Sequence, residues 1–404
     1  MSISQLLVLL INTGLLISAS GFGILCLLLF IESIAVLFPL GFQFSINSGQ
    51  QSKVTILMPA HNEEMVIAAT LKGILPQLKP EDRLVVIADN CTDATAEIAR
   101  FAGAEVVERC DNLKRGKGYA LDFGIRYLES NPPEILILID ADCRVEPGAI
   151  AQLTNYALGS HRPVQALYLM EKPSNPTSKD AISSFAFKIK NLVRAGGLAR
   201  LGIPCLLTGT GMAFPWDVIS SVDLASGNIV EDMKLGLDLT ISGHKPLFCS
   251  QANVTGLLPQ QGQAANTQRT RWEHGHIQTI IAYVPPMLMA ALEQKRIDLL
   301  ISALDLCVPP LSLFVMMWAG LTSVTITVGF LGASWLPSLI LGFGGLLMAT
   351  GIITSWAMFG RSDLPLKQLL SIPLYILWKI PMYLKFLVKR ENTWVRTERD
   401  EVKL

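Results

Sequence analysis

A run of 55 residues without a charged side chain, from Leu306 to Gly360, requires that part of this chain lies in lipid. Gly332-Ala333-Ser334 offers a turn near its middle and leaves two segments of about 25 residues, each long enough to span a bilayer. Only 16% of the 404 residues are charged, whereas soluble domains carry about a quarter. The sequence therefore predicts an integral membrane protein.

Composition and the positions of charged and helix-breaking residues divide the chain into five parts. The N-terminal apolar run has no basic segment before it, so we expect a retained membrane helix and not a signal peptide. Pro285-Pro286 interrupts an apolar stretch that we expect to lie at the membrane interface. A fourth span near the C-terminus would export basic residues, against the positive-inside tendency. The prediction is a transmembrane helix in 1–40, a cytosolic domain in 53–275, an interfacial helix in 277–297, two transmembrane helices in 306–360, and an interfacial basic helix with a cytosolic tail in 364–404.

The cytosolic part contains three unbroken apolar runs, which are typical of strands buried on both faces of a parallel sheet. They are Val54–Pro59, Leu84–Asp89 and Ile135–Asp140. Helical patterns follow around Glu64–Leu78, Thr92–Ala102 and Lys117–Leu128. This βαβαβ order predicts an α/β, Rossmann-like doubly wound fold that binds ligand at the carboxyl ends of the strands.

Charge and cysteine usage exclude several functions. Lys+Arg and Asp+Glu are equal at 33 each, so we expect no nucleic-acid partner. The seven cysteines are scattered without a C-x-x-C pair, which favours a reduced cytosolic domain without disulfides or zinc.

Two acidic motifs are candidates for chemistry. Asp140-Ala141-Asp142 forms D-x-D, a pattern that chance produces roughly once in a chain of this length. One carboxylate can face a nucleotide and the other a Mg²⁺ ion, although a turn cap is the alternative. Glu231-Asp232 can supply the general base that a hydroxyl nucleophile needs, and we favour Asp232; an exposed acidic helix start is the alternative.

Three loops are candidates for donor binding, and two of them directly follow predicted strands. Asp89 can bind a base or ribose, and the Ala60 to Glu63 segment can contact a nucleotide or cap a helix. Lys117 lies in a short basic, glycine-bearing loop that suits phosphate oxygens, with a solvated turn as the alternative.

The string Gln268-x-x-Arg271-Trp272 is the most specific motif, expected by chance in about one such chain in a hundred. Arginine can pair with a diphosphate, and tryptophan offers a stacking face for a sugar. The alternative is a helix near the membrane with a snorkelling arginine and an interfacial tryptophan. His274 and His276 have no partner at metal-ligand spacing, and we interpret them as ordinary polar positions.

In order and spacing, these motifs resemble the membrane-integrated glycosyltransferases of family 2, the group of cellulose, chitin and hyaluronan synthases and ceramide glucosyltransferases. The resemblance covers roughly residues 53–275. It implies a nucleotide-diphospho-sugar transferase (GT-A) fold, a cytosolic active site in the cell (inner) membrane, Mg²⁺ or Mn²⁺, and inversion at the anomeric carbon. It also implies that Asp89 binds the nucleotide, Asp142 the metal, and that Asp232 is the base. Gln268, Arg271 and Trp272 would border the acceptor and the diphosphate.

The acceptor stays open between a polysaccharide and a membrane lipid. Val230 stands where these synthases commonly have Thr, and about three spans are fewer than polymer-secreting synthases use. Both departures favour transfer of one or a few sugars. The alternatives to a nucleotide-sugar transferase are a nucleotidyltransferase, which would release pyrophosphate, and a catalytically silent membrane scaffold.

Overall fold

The computed structural model describes residues 3–40, 52–173, 175–225, 230–258 and 262–388. The predicted basic tail after residue 388 lies outside these residues.

The N-terminal two thirds of the described chain contain one long helix and an α/β domain. Their elements are α1 (Ile3–Ala35), β1 (Val54–Ala60), α2 (Ile67–Ile74), β2 (Arg83–Asp89), α3 (Thr95–Phe101), β3 (Glu105–Arg109), α4 (Lys117–Leu128), β4 (Ile135–Leu138), β5 (Arg144–Val145), α5 (Ala149–Ser160), β6 (Val164–Glu171), α6 (Ser178–Lys188), α7 (Ala195–Arg200), β7 (Met212–Pro215), α8 (Trp216–Ile219), α9 (Glu231–Ile241) and β8 (Leu247–Leu257). A 3₁₀ turn at Leu75–Gln77 follows α2, and a π-helical segment at Ile189–Arg194 joins α6 to α7.

The strands form a mixed sheet in the order β3-β2-β1-β4-β7-β6-β8-β5. β3, β2, β1 and β4 are parallel, which confirms the predicted βαβαβ layer. β7 is antiparallel to both β4 and β6, and β5 is antiparallel to β8. β7 follows the turn at Thr208–Gly211 and not a crossover helix, so the sheet as a whole is mixed.

Alternate residues of β1 serve two hydrophobic cores because strand side chains point to opposite faces. Ile56 and Met58 pack with α2 and α5 on one face. Leu57 packs with α4 and α9 on the other face. The unbroken apolar run in the sequence follows from burial on both sides.

The C-terminal third is helical. Its elements are α10 (Gly262–Glu293), α11 (Ile297–Leu306), α12 (Leu311–Phe330), α13 (Leu336–Ser355), a π-helical segment (Trp356–Gly360), α14 (Leu366–Leu369) and α15 (Ile372–Val388). The boundary predicted at 275–277 is not a break, because α10 is continuous across it and contains both Pro285 and Pro286. Q-x-x-R-W therefore lies on the same helix as the predicted interfacial segment.

Four helical segments in the described residues are long and apolar enough to cross a membrane. They are Val8–Ala35, Ala265–Glu293, Leu311–Phe330 and Leu336–Gly360. The second is an addition to the three spans expected from the sequence.

The end of α1 packs directly on the α/β domain. A Cβ at Gly197 in α7 would lie 2.3 Å from the carbonyl oxygen of Glu32, so this crossing requires glycine. Arg194 bonds Glu32 of α1 at 3.3 Å and Asp305 of α11 at 2.5 Å. A buried ionic cluster therefore holds the apolar helices against the domain.

Candidate functional site

A cavity of about 340 Å³ begins beside the carboxyl ends of β1, β2 and β4 and continues among α6, α10 and α15. It brings together every site residue predicted from the sequence. These are Ala60, Glu63, Asp89, Lys117, Asp140, Asp142, Glu231, Asp232, Gln268, Arg271 and Trp272.

Lys117 lies at the centre of the acidic residues. As the first residue of α4, it places its Nζ 2.5 Å from Oδ1 of Asp140 and 3.9 Å from Oε1 of Glu231. Burial lowers the pKa of Lys117, but the charges of Asp140 and Glu231 outweigh burial and raise the pKa above its usual value. Lys117 is therefore a fixed cation inside an acidic pocket and not a solvated turn residue.

A turn at Thr208–Gly211 closes this pocket. Lys117 Nζ donates to the carbonyl oxygen of Gly209 at 2.7 Å, and the backbone N–H of Asp140 donates to Thr210 Oγ1 at 3.1 Å. Gly209 has φ +94°, and a Cβ there would lie 3.0 Å from Oδ2 of Asp232. Glycine thus leaves room for a ligand next to the Asp232 carboxylate.

Burial perturbs the acids of this pocket. It raises the pKa of Glu231 to about 7, with Lys117 opposing the shift and Asp232 adding to it. Burial also raises the pKa of Asp140, against the lowering effect of Lys117. A carboxyl group poised near neutral pH is typical of functional sites.

Asp140, Asp142 and Cys143 are the candidate metal ligands, with possible ligand atoms within 4.8 Å of one another. β4 ends at Leu138, so the two aspartates lie in the turn after the strand. Two carboxylates fit a hard divalent cation. Burial raises the pKa of the Cys143 thiol well above its usual value, which makes Cys143 a poor ligand.

Asp89 is held by residues that the sequence motifs did not reveal. Arg109, the last residue of β3, places Nη1 2.5 Å from Oδ1 of Asp89, and both side chains are 8% exposed. Asn90 Nδ2 also donates to this oxygen at 3.0 Å. The carboxylate is therefore fixed in orientation before any ligand binds.

The Q-x-x-R-W residues lie on α10 along one side of the cavity, as their three-residue spacing predicted. Gln268 is 5% exposed, and its Oε1 has no hydrogen-bond partner within the described part of the chain. A buried amide oxygen without a partner is unfavourable unless a ligand or water satisfies it. Trp272 packs on Phe187 of α6, with ring centroids 5.6 Å apart.

The inner half of the cavity, which is the part bordered by the helical region, is lined by both apolar and polar side chains. Leu29 of α1, Val308 and Leu311 line it. Glu273, next to Trp272, bonds Lys379 and Tyr383 of α15, so these two helices are fixed beside the cavity.

Comparison with known proteins agrees with this geometry. The profile described as "Glycosyltransferase like family 2" matches residues 51–275, more than half of the chain. The chain belongs to this glycosyltransferase family.

Relatives in family 2 include proteins with different acceptors in their names. "Probable glycosyltransferase YdaM" of Bacillus subtilis is 27% identical over 62% of this chain and 61% of its own length. "Probable glucomannan 4-beta-mannosyltransferase 1" of Arabidopsis thaliana is 24% identical over 55% of this chain and 42% of its own length. "4,4'-diaponeurosporenoate glycosyltransferase" of Staphylococcus haemolyticus is 33% identical over 45% of this chain and 50% of its own length. Each match covers less than two thirds of the relative.

Among solved structures, the chain is similar to the mannosyltransferase PcManGT of Pyrobaculum calidifontis, which was determined in complex with GDP-Man and Mn²⁺. The TM-score is 0.57 at 16% identity, covering 94% of this chain and 99% of that one. At this identity the likeness shows a shared fold, which confirms the GT-A, Rossmann-like class.

Three residues that line the cavity or hold its walls had no sequence motif. Arg109 is the last residue of β3, a strand without a recognisable motif. Gln165 lies in β6, among polar and apolar residues. Its Nε2 donates to the carbonyl oxygen of Thr210, and its Oε1 accepts from the backbone N–H of Thr208, each at 2.9 Å. Lys190 belongs to the π-helical segment and lines the inner half of the cavity. Only the fold places them near the acidic residues.

Proposed function

We propose that this protein transfers a sugar from a nucleoside-diphosphate donor, with inversion, to a lipid acceptor that enters from the membrane side. One observation carries the proposal. The same cavity is lined by the acidic residues at the strand ends and by apolar residues of the membrane-associated helices, including Leu29 and Leu311. A lipid would bury apolar surface against these side chains, and a hydrophilic polymer would gain little from them.

Donor binding belongs to the end of the cavity near β1 and β2. Asp89, fixed by Arg109, suits a ribose or base, and Ala60 and Glu63 border the same space. Lys117 and Arg271 supply positive charge for the diphosphate. Asp142, with Asp140 beside it, would hold Mg²⁺ or Mn²⁺, which when bound neutralises phosphate charge.

Asp232 is the proposed general base. It takes the proton from the acceptor O–H as the oxygen forms a bond to the anomeric carbon. The bond from that carbon to the diphosphate oxygen breaks, and its electron pair leaves with the nucleoside diphosphate. A single displacement of this kind inverts the anomeric configuration.

Glu231 adjoins this reaction and titrates near neutral pH. Through its ion pair with Lys117, Glu231 alters the net charge next to Asp232. Glu231 can do so without contacting the acceptor. Gln268 and Trp272 would position the sugar, because an amide oxygen without a partner among the described residues and an aromatic face both line the cavity.

Four segments of sufficient length and apolarity support a location in a membrane. We propose the cell (inner) membrane, with the α/β domain in the cytosol where nucleotide sugars are made.

The test uses the purified full chain with Mg²⁺ or Mn²⁺, a membrane lipid extract and radiolabelled UDP-glucose, UDP-N-acetylglucosamine or GDP-mannose. We expect label in the organic phase and one nucleoside diphosphate released per sugar transferred. Label in a high-mass, water-soluble product would show that the acceptor is a polysaccharide and not a lipid. Release of pyrophosphate would instead indicate a nucleotidyltransferase.

A further inference from the structure

The π-helical segment Ile189–Arg194 lies between α6 and α7, beside the cavity. Such segments are rare and frequently occur at functional sites. This one presents two cations, Lys190 and Arg194, to the inner half of the cavity.

The two cations differ in their partners. Arg194 is satisfied by the carboxylates of Glu32 and Asp305 and by the carbonyl oxygen of Asp305 at 2.6 Å. The ammonium group of Lys190 makes no hydrogen bond or ion pair with any residue that the structure describes, although the side chain is only partly exposed. The ammonium group of Lys190 is therefore available to a molecule in the cavity.

Two carboxylates act on Lys190 from a distance, and neither forms an ion pair with it. Burial lowers the pKa of Lys190; the charges of Asp232 and Asp305 oppose that shift, and the charge of Arg194 adds to it. Asp232 lies beyond ion-pair distance of Lys190, and both residues line the same cavity. A buried ammonium without a counter-ion is unfavourable, and an anionic ligand would remove that cost.

A molecule bound next to Lys190 would also contact apolar side chains. Leu29, Val308 and Leu311 line the same inner half. The donor end already has its own cations in Lys117 and Arg271, so the diphosphate does not require Lys190. We infer that Lys190 recognises an anionic oxygen group, phosphate or carboxylate, on an otherwise apolar acceptor. This inference rests on the proposed function, to which it adds the acceptor class and a residue that selects it.

Binding without a donor tests the inference apart from catalysis. The probes are tritiated farnesyl phosphate, farnesoate and farnesol, retained by the immobilised full chain in detergent micelles. We expect at least one anionic probe to bind about tenfold or more tightly than farnesol, as a charge-assisted hydrogen bond predicts. Preference for the phosphate identifies a lipid phosphate, and preference for the carboxylate identifies a lipid acid.

Three variants assign that preference to one side chain. Lys190→Met should reduce the anion-to-alcohol ratio to near one while farnesol binding stays unchanged, and Lys190→Arg should keep the ratio. Lys179→Met is the matched control, since Lys179 is exposed on α6 and does not line the cavity. An unchanged ratio in Lys190→Met, or an equal loss for farnesol, overturns the inference.

Two further results separate this inference from the proposed function. If Lys190→Met weakens UDP-glucose or GDP-mannose binding and leaves the farnesyl probes unaffected, Lys190 serves the donor and the inference is wrong. If farnesyl phosphate or farnesoate binds through Lys190 but no nucleotide sugar is ever consumed, the proposed transferase is wrong and the inference stands.

Discussion

The ammonium nitrogen of Lys117 lies 2.5 Å from Oδ1 of Asp140, which makes it the counter-ion of the acid next to the candidate metal ligand Asp142. Lys117→Met leaves Asp140 beside Asp142 and Asp232 without that compensation. We expect the dissociation constant of the nucleotide sugar to rise at least about tenfold, because an added anion then enters an acidic pocket. Isothermal titration with and without Mn²⁺ measures it. The exposed Lys114→Met, in the same loop, should change little; equal effects of the two variants would contradict the assignment.

Gly209→Ala probes the space beside Asp232. The new Cβ would lie 3.0 Å from Oδ2 of Asp232, at a residue whose φ of +94° already disfavours alanine. We expect kcat for sugar transfer to fall about tenfold or more. Gly103→Ala is the matched control, because Gly103 has φ +99° but nothing within 4 Å of its Cβ position. If both variants lose activity equally, backbone strain and not the approach to Asp232 is responsible.

Glu231→Gln should change how stability depends on pH. The folded protein holds the Glu231 proton up to about pH 7, whereas an ordinary glutamate releases it near 4.5. Stability of the wild type therefore falls as the pH rises from 4.5 to 7, and stays lower above 7. The variant should lack this fall and be more stable at pH 8 by up to about 3 kcal/mol.

Urea unfolding in detergent at pH 5 and pH 8 measures this difference, with the exposed Glu129→Gln as control. A Glu231→Gln protein with the same pH slope as the wild type would contradict the raised pKa.

Arg194→Met should separate α1 from the domain. It leaves the buried carboxylates of Glu32 and Asp305 without their cation, a change that typically costs about 3–5 kcal/mol. Arg126→Met, which breaks an exposed pair with Asp122, should cost less than about 1 kcal/mol. Unfolding in detergent compares them, and similar losses would show that the Arg194 cluster contributes no special stability.

Much of the parallel layer could be predicted because its residues repeat a simple physical pattern. Ile56, Leu57 and Met58 are all buried, since both faces of β1 are covered, and such strands read as unbroken apolar runs. The predicted helix Lys117–Leu128 has the same bounds in the structure. The antiparallel β7 was not predicted, because its four residues are too few for an alternating pattern to distinguish a strand from a loop or a helix.

The members of the cavity were predictable from local motifs, but their partners were not. Asp89 ends an apolar strand and is recognisable, whereas Arg109 reaches it from the neighbouring strand β3. Lys190 and Gln165 have no local signature either. Pairing across 20 or more residues depends on sheet order, which a single sequence does not reveal.

The most direct test of the central assignment compares Asp232→Asn with Asp142→Asn in one preparation. Single-turnover sugar transfer and nucleotide-sugar binding are measured for both, with and without Mn²⁺. Asp232→Asn should abolish transfer while the donor binds almost normally, and Asp142→Asn should weaken metal-dependent donor binding. Wild-type turnover in both variants would contradict the account.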